Sequence, residues 1–140
     1  FQSTKQDWET PDSVFAPLDE EFHFTLDVAA SASNKRADKF FSEECDGLTH
    51  DWGDEVCWMN PPYGSGNLKA WIKKAYDESG LGATVVALIP ARTNTNWFHD
   101  YCLKGEVRFI RGRPKFAGAK HGLPQPLAIV IFRPSSLSVH

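Results

Sequence analysis

Apolar and polar residues follow one another along the chain in two patterns, and both predict strands. Residues 22–28 alternate between the two types, which is typical of a half-buried strand, and this segment ends at the small residues 29–31. Val56–Met59 is a continuous apolar run that stops at a pair of prolines, which cannot continue a strand ladder. Three further apolar runs predict strands at residues 83–89, 107–110 and 127–132.

Helices are predicted where apolar residues recur about every 3.6 positions. The clearest helix is residues 68–79, whose apolar side chains at positions 68, 71, 72, 75 and 76 form one stripe. Thr10-Pro11-Asp12 indicates a second helix, with Thr10 as N-cap and Pro11 at the first helical position. We expect Pro17 to keep this helix short. Weaker patterns predict helices at residues 34–41 and 97–103.

The order of these elements predicts an α/β fold, a mostly parallel sheet with helices on both faces. Residues 111–126 would join the last two strands as a C-terminal β-hairpin. We expect a single domain over residues 1–140, frayed over residues 1–9, with no separate target-recognition domain. Ligands of such sheets bind beyond the carboxyl ends of the strands, so the loops at 29–31 and 60–63 are candidate sites.

Composition excludes several classes of protein. Hydrophobic residues make up 41% of the chain and charged residues 24%, which are ordinary values for a globular protein. No apolar run is long enough to span a membrane, and nothing resembles a signal peptide. The 3 cysteines and 5 histidines show no metal-ligand spacing. We therefore expect a cytoplasmic protein with reduced cysteines, no membrane segment and no metal.

Charge is distributed unevenly along the chain. The total is −3, but residues 1–56 hold 14 acidic and 4 basic side chains, and residues 57–140 hold 4 acidic and 11 basic ones. Such asymmetry favours a polyanionic partner such as DNA on one face, although solvated basic residues are an equal alternative. Arg111, Arg113 and Lys115 alternate along the predicted hairpin and are candidates for phosphate contacts. Arg92, after a buried strand, is either a target-side contact or an ion-pair partner.

The segment Asn60-Pro61-Pro62-Tyr63 carries the chemistry. Its two prolines fix the backbone, so the segment is stiff, and it presents the Asn60 carboxamide oxygen and the Pro61 carbonyl as two acceptors. Two acceptors can take both hydrogens of a planar amino group and favour the pyramidal, more nucleophilic nitrogen. Tyr63 supplies an aromatic face for stacking. This pattern suits methyl transfer to an amino or amide nitrogen; the alternative is a rigid turn without chemistry.

Six segments in order give the chain a family resemblance: Trp8-Glu9-Thr10-Pro11, residues 25–31, Asp46-Gly47-Leu48, Asn60-Pro61-Pro62-Tyr63-Gly64, Ile89-Pro90-Ala91-Arg92-Thr93 and Gly112-Arg113-Pro114-Lys115-Phe116. Over residues 8–133 the chain resembles the phage-type DNA N6-adenine methyltransferase family. The resemblance implies a Rossmann-like fold, S-adenosylmethionine as the methyl donor and adenine N6 in DNA as the target. It also implies a phage- or prophage-encoded enzyme that acts in the bacterial cytoplasm.

The resemblance assigns roles to individual residues. It implies that Asn60, Pro61, Pro62 and Tyr63 form the catalytic loop, that Phe116 lies on the target side, and that the donor is held by Thr10, Pro11, Asp27, Val28, Ala29, Ala30, Ser31 and Asp46. Phe116 matches an aromatic position that packs on the extruded base. The donor loop at 27–31 contains no glycine, unlike that of most methyltransferases.

The sequence is also compatible with other functions. An Asn-Pro-Pro-Tyr loop also suits methylation of a glutamine N5 amide in a protein, and cytosine N4 is chemically allowed. The positive balance of residues 57–140 favours nucleic acid over a protein substrate. A non-catalytic DNA-binding or decoy domain on the same fold would bind no methyl donor. The sequence indicates neither the recognition sequence nor the oligomeric state.

Overall fold

The apolar runs in the centre of the chain pair with one another to form the middle of a six-stranded sheet. The structure is a computed structural model that describes residues 10–31, 33–64, 66–112 and 126–134. The predictions made for residues 1–9 and for Arg113, Lys115 and Phe116 lie outside the described residues. Within the described part of the chain, no helix is both long and apolar enough to cross a membrane.

The strands and helices lie close to the predicted positions in most cases. The strands are β1 (Leu26–Asp27), β2 (Lys39–Phe40), β3 (Val56–Met59), β4 (Thr84–Pro90), β5 (Glu106–Phe109) and β6 (Leu127–Phe132). The α-helices are α1 (Asp12–Phe22), α2 (Asn67–Gly80) and α3 (Asn96–Asp100), and two 3₁₀ turns cover Gly47–Thr49 and Cys102–Lys104. The predicted strands at 56–59 and 127–132 and the amphipathic helix at 68–79 are confirmed.

The sheet is mixed, with the strand order β2-β1-β3-β4-β6-β5. Strands β2, β1, β3 and β4 are parallel, whereas β6 pairs antiparallel with both β4 and β5. Strand β5 therefore runs in the same direction as the parallel strands, and all five end at one edge of the sheet. We call this the carboxyl edge and define it by its last strand residues, Asp27, Phe40, Met59, Pro90 and Phe109. The predicted fold class is confirmed, with one antiparallel strand inserted.

Helices cover both faces of the sheet because alternate strand residues point to opposite sides. On one face, Trp58, Val86 and Leu88 pack against Phe15 and Leu18 of α1. On the other face, the alternate residues of β3 and β4 pack against the apolar stripe of α2 and against α3. Four tryptophans predicted to be structural, at positions 52, 58, 71 and 97, are buried. The fifth, Trp8, lies outside the described residues.

Gly47 shows why the chain after β2 needs a glycine. An added Cβ would collide with the Val28 carbonyl oxygen and would lie 3.1 Å from the Trp71 ring. The Trp52 indole N–H also donates to the Gly47 carbonyl at 2.9 Å. This close packing fixes the segment around Asp46 beside the end of β1.

Two predictions about the first helix are wrong. Helix α1 continues through Pro17 to Phe22, so this proline does not shorten it. Pro11, not Thr10, occupies the N-cap position, and its carbonyl accepts from the Val14 and Phe15 N–H groups. The Thr10 hydroxyl makes no cap because it accepts a hydrogen bond from Asn60 instead.

Two predictions about the chain that follows α1 also need correction. The predicted strand at 22–28 is reduced to β1, since Phe22 belongs to the helix and His23 has a φ of 58°. The predicted helix at 34–41 does not form, and its end pairs as β2 with β1. Side-chain contacts override the local preference here, because the Asp27 carboxylate accepts from the Arg36 backbone N–H at 2.9 Å.

Candidate active site

A pocket opens at the carboxyl edge between β1 and β3. These two strands flank the point at which the strand order reverses, which is where ligands bind in open α/β sheets. The pocket is lined by Thr10, Asp27, Ala29, Asn34, Arg36, Trp58 and Asn60. It therefore brings together residues from the predicted donor loop and the predicted catalytic loop.

Asn60 follows β3 directly, and hydrogen bonds hold both ends of its carboxamide. The Nδ2 atom donates to the Thr10 hydroxyl at 3.0 Å. The Oδ1 atom lies 3.1 Å from the Tyr63 hydroxyl, which donates to it. Pro61 is buried behind Asn60, and Pro62 is partly buried. The side chain of Asn60 thus lies in the pocket, and hydrogen bonds to Thr10 and Tyr63 fix the orientation of its carboxamide.

Tyr63 is anchored from inside the sheet. Its hydroxyl lies 3.0 Å from the Leu88 carbonyl of β4 as well as near Asn60, so its single proton is shared between two acceptors. Burial raises the pKa of the Tyr63 hydroxyl, while the nearby positive charge of Arg92 opposes this shift. Tyr63 is therefore a neutral donor that ties the loop of Asn60 to β4. Stacking of its ring on a base stays a prediction.

Asp27 organises the loop after β1. Its carboxylate accepts from the Ala29 N–H at 3.2 Å and from the Arg36 N–H at 2.9 Å. The residue is only 3% exposed, and burial raises the pKa of its carboxyl to about 6. Two backbone hydrogen bonds and the Arg36 charge oppose that rise. Asp27 therefore both holds the loop and places a titratable acid in the pocket.

Arg36 ties the start of α1 to this loop. One Nη donates to the Thr10 carbonyl and the other lies 3.0 Å from an Asp12 carboxylate oxygen. Its guanidinium also lies over the Phe15 ring, 4.7 Å from the ring centroid. The Thr10-Pro11 segment is consequently held against the pocket by contacts that span more than twenty residues of sequence.

The other predicted donor residues are not among those that line the pocket. Val28 is fully buried, and its N–H donates to the Trp58 carbonyl of β3. The Ala30 N–H donates to the Phe41 carbonyl, and Pro11 is the N-cap residue of α1. The Ser31 N–H donates to the Asn34 side chain at 2.7 Å. Asp46 is exposed, and its carboxylate accepts from the Leu48 N–H at 3.1 Å, which caps a 3₁₀ turn. Of the residues predicted for the donor, Thr10, Asp27 and Ala29 line the pocket.

Two of the predicted target-side residues, Arg92 and Arg111, lie at the same edge, after β4 and β5 respectively. The Ala91 N–H donates to the Pro126 carbonyl at 2.9 Å, and the Ile110 N–H donates to the Leu127 carbonyl at 3.2 Å. These bonds place the base of the predicted hairpin beside the loop that carries Arg92. Arg111 is exposed at this base.

Three pocket residues were missed by sequence reasoning: Asn34, Arg36 and Trp58. Asn34 and Arg36 fell in the segment predicted as a helix, which hid their proximity to β1. Trp58 was assigned to the core, and it is 1% exposed at the pocket floor. For the described residues, the structure shows no group of three or more His, Cys, Asp or Glu side chains placed to hold a metal ion.

A mixed α/β sheet with a stiff Asn-Pro-Pro-Tyr loop facing a polar pocket at its switch point defines a Rossmann-like methyltransferase. The sequence profile of one family, described as DNA N-6-adenine-methyltransferase (Dam), matches residues 1–134. The chain belongs to this family. The predicted activity of an adenine-specific DNA methyltransferase is therefore confirmed.

Individual relatives agree with this assignment. A DNA N-6-adenine-methyltransferase of Haemophilus phage HP1 is 33% identical over 146 aligned residues, covering 96% of this chain and 83% of the relative. A DNA N-6-adenine-methyltransferase of Escherichia phage T1 is 37% identical over 95 residues, covering 66% of this chain and 39% of the relative. A putative methyltransferase of Escherichia coli, YfdM, is 30% identical over 63 residues.

Proposed function

We propose that the protein transfers a methyl group from S-adenosylmethionine to the N6 amino group of adenine in DNA. The observation that carries the proposal is the pocket itself, where Asn60 of the catalytic loop and Asp27 of the donor loop share one cavity. Donor and acceptor must meet within a few ångströms for in-line methyl transfer, so the two loops have to open into the same space.

The pocket residues fit the donor's chemistry. S-adenosylmethionine supplies an electrophilic methyl group and carries a methionine end with one ammonium and one carboxylate group. Asp27 is an acid suited to the ammonium group, and Arg36 is a cation at the same cavity. Asn34 adds a side chain that forms hydrogen bonds, whereas the Thr10 hydroxyl is already engaged by Asn60. We assign donor binding to Asp27, Arg36, Asn34 and Ala29.

Asn60 and Pro61 would act on the adenine. We assign to the Asn60 Oδ1 atom and the Pro61 carbonyl the two hydrogens of the N6 amino group. As the N–C bond forms, the S–CH3 bond of the donor would break and leave a neutral thioether. The nitrogen would become pyramidal, and the two acceptors would stabilise its developing positive charge. The proton then leaves the nitrogen to water, so no titrating general base is required. Tyr63 would hold the loop rigid through β4 and present its ring to the base.

DNA would approach the carboxyl edge. An adenine inside a duplex cannot reach a recessed loop, so the base must be flipped out or taken from a single strand. Arg92 and Arg111 lie at this edge, where they can contact phosphates next to the flipped base. We expect the enzyme to act in the cytoplasm of a bacterial host, where phage DNA is found.

The test is mass analysis of nucleosides from DNA that has been incubated with the protein and S-adenosylmethionine. N6-methyladenine should appear, and a matched reaction with Asn60→Ala should contain little of it. N4-methylcytosine would move the target to cytosine, and methylated glutamine in an added protein would move it to an amide. Donor binding by the protein with no methylated product in any substrate would contradict an enzymatic role.

A further inference from the structure

The orientation of the Asn60 carboxamide is the feature from which we start. An asparagine side chain has an oxygen end and an amino end of nearly equal size, and only the oxygen end can accept from an amino group. The proposed reaction therefore requires something that holds Asn60 in place across the pocket. Tyr63 contributes only a shared proton, because its hydroxyl is also 3.0 Å from the Leu88 carbonyl.

Thr10 supplies the other contact, from 50 positions earlier in the chain. Its hydroxyl oxygen accepts from the Asn60 Nδ2 atom at 3.0 Å. The hydroxyl is available for this because α1 is capped by the Pro11 carbonyl and not by the Thr10 side chain. Thr10 is 4% exposed, so water does not compete strongly for the contact.

Thr10 is itself held in place. The residue precedes Pro11, and this restricts its backbone to an extended conformation. An Arg36 Nη atom donates to the Thr10 carbonyl, and the Arg36 backbone N–H donates to Asp27. A continuous set of hydrogen bonds thus runs from the donor loop, through Arg36 and Thr10, to the carboxamide of Asn60.

We infer that Thr10 is a positioning residue for the methyl-transfer step, which acts by fixing the Asn60 carboxamide through its hydroxyl. This inference rests on the proposed function, because it assigns Asn60 to the target amino group. It differs from the donor-binding role that the family resemblance gives to Thr10. A donor-binding threonine would affect donor affinity, whereas a positioning threonine affects turnover.

The experiment compares Thr10→Val, Thr10→Ser and a control, Thr25→Val, in the full chain. Thr25 is also a hydrogen-bonded threonine, accepting from the Val56 N–H at 2.9 Å, but it lies before β1, away from the pocket. Methylation of an adenine-containing oligonucleotide gives kcat and KM, and equilibrium binding gives the donor affinity. Thr10→Val should lower kcat about tenfold or more, with donor affinity and the KM for DNA within about threefold of wild type.

Rescue and spectroscopy separate positioning from general damage to the fold. Thr10→Ser keeps the hydroxyl and should recover most of the kcat, and Thr25→Val should keep all of it. If Thr10→Val does not fold, Thr10→Ala removes the same hydroxyl and carries the same expectation. The side-chain amide signal of Asn60 in an NMR spectrum, assigned by its loss in Asn60→Ala, should shift and exchange faster in Thr10→Val.

The outcomes are distinguishable. Wild-type kcat in Thr10→Val, or a loss confined to donor affinity, would overturn the positioning role while leaving the proposed function intact. An unchanged Asn60 amide signal would overturn it as well. If the wild-type protein methylates no adenine, the proposed function fails, and the NMR comparison alone decides whether Thr10 fixes Asn60.

Discussion

Arginines lie at the carboxyl edge of the sheet and at the opposite edge, where the parallel strands begin. Acids neutralise the arginines at this opposite edge. There β5 begins and β6 ends, and both guanidinium Nη atoms of Arg108 lie 2.8 Å from the Glu21 carboxylate. Glu106 accepts from Arg108 and from Arg133 at 2.5 Å each. Hydrogen bonds from Arg133 and Arg108 lower the pKa of Glu106. Both arginines also lie within 6 Å of the Phe22 ring centroid.

Arg111, at the carboxyl edge, has a different environment. Arg36 also pairs with an acid, Asp12, and donates to the Thr10 carbonyl, whereas Arg111 is exposed and forms no ion pair with any described residue. Counting charges along the sequence places Arg108 with Arg111 in one basic group. The structure separates them, because Glu21 of α1 reaches Arg108 across 87 positions. We therefore propose that DNA contacts the carboxyl edge and not the opposite one.

The largest expected effect comes from Asn60→Ala at the carboxyl edge. This change removes one of the two acceptors that we propose for the amino group, so kcat should fall at least about a hundredfold, as it does when an oxyanion donor is lost. Donor binding should stay within a few-fold, because Asp27 and its loop are untouched. Single-turnover methylation and equilibrium donor binding measure the two quantities. Turnover within a few-fold of wild type would remove Asn60 from the reaction.

The elements that could be predicted from sequence are those stabilised by their own apolar pattern. Strands β3 and β6 are buried apolar runs, and α2 has one apolar stripe, so each element can be predicted from its own residues. The segment at 34–41 was mispredicted because its conformation depends on a carboxylate nine positions earlier. The hydrogen bond from the Arg36 N–H to Asp27 and the pairing of β2 with β1 determine the conformation of this segment.

The same distinction applies to the site. Asn60 and Tyr63 could be identified from the sequence because the two prolines between them predict a stiff loop after a buried strand. Arg36 could not be identified from the sequence, because its role comes from contacts with Thr10 and Asp12, which lie more than twenty positions away. The sequence identifies Thr10 but predicts that its side chain caps a helix, since no local pattern indicates a partner 50 residues later.

The second expected effect concerns Asp27 and pH. Its pKa is about 6 in the folded protein and 3.8 in the reference state, so the folded protein binds more protons between these values. The stability contributed by protonated Asp27 is full below about pH 4 and is lost as pH rises to about 6. At about 1.36 kcal/mol per pKa unit, the loss is at most about 3 kcal/mol.

Urea unfolding of wild type and Asp27→Asn between pH 4 and pH 7 tests this. Both proteins share every other titrating group, so the difference between their unfolding free energies isolates Asp27. Wild type should lose stability relative to the variant as pH rises from 4 to 6, and the difference should level off above that. A difference that is constant over this range would contradict the raised pKa.

A third, smaller effect is expected for Arg111→Gln. Removing one phosphate contact should weaken DNA binding about three- to tenfold and lower the slope of log affinity against log salt by about 0.9. Fluorescence anisotropy of a labelled duplex at several salt concentrations measures both values. The kcat at saturating DNA should change little, since Arg111 lies at the base of the hairpin and outside the pocket. An unchanged salt slope would make Arg111 an ordinary surface residue.

The smallest effect should come from Arg108→Gln at the opposite edge, which is the matched control for Arg111→Gln. The same change of residue type breaks the pairs with Glu21 and Glu106, but exposed ion pairs contribute little, so the melting temperature should fall by no more than about 5 °C. Because its charge is already compensated, Arg108 should leave DNA affinity and the salt slope at wild-type values. A reduced salt slope in Arg108→Gln would show that DNA also contacts this edge, and the contrast between the two edges would then be wrong.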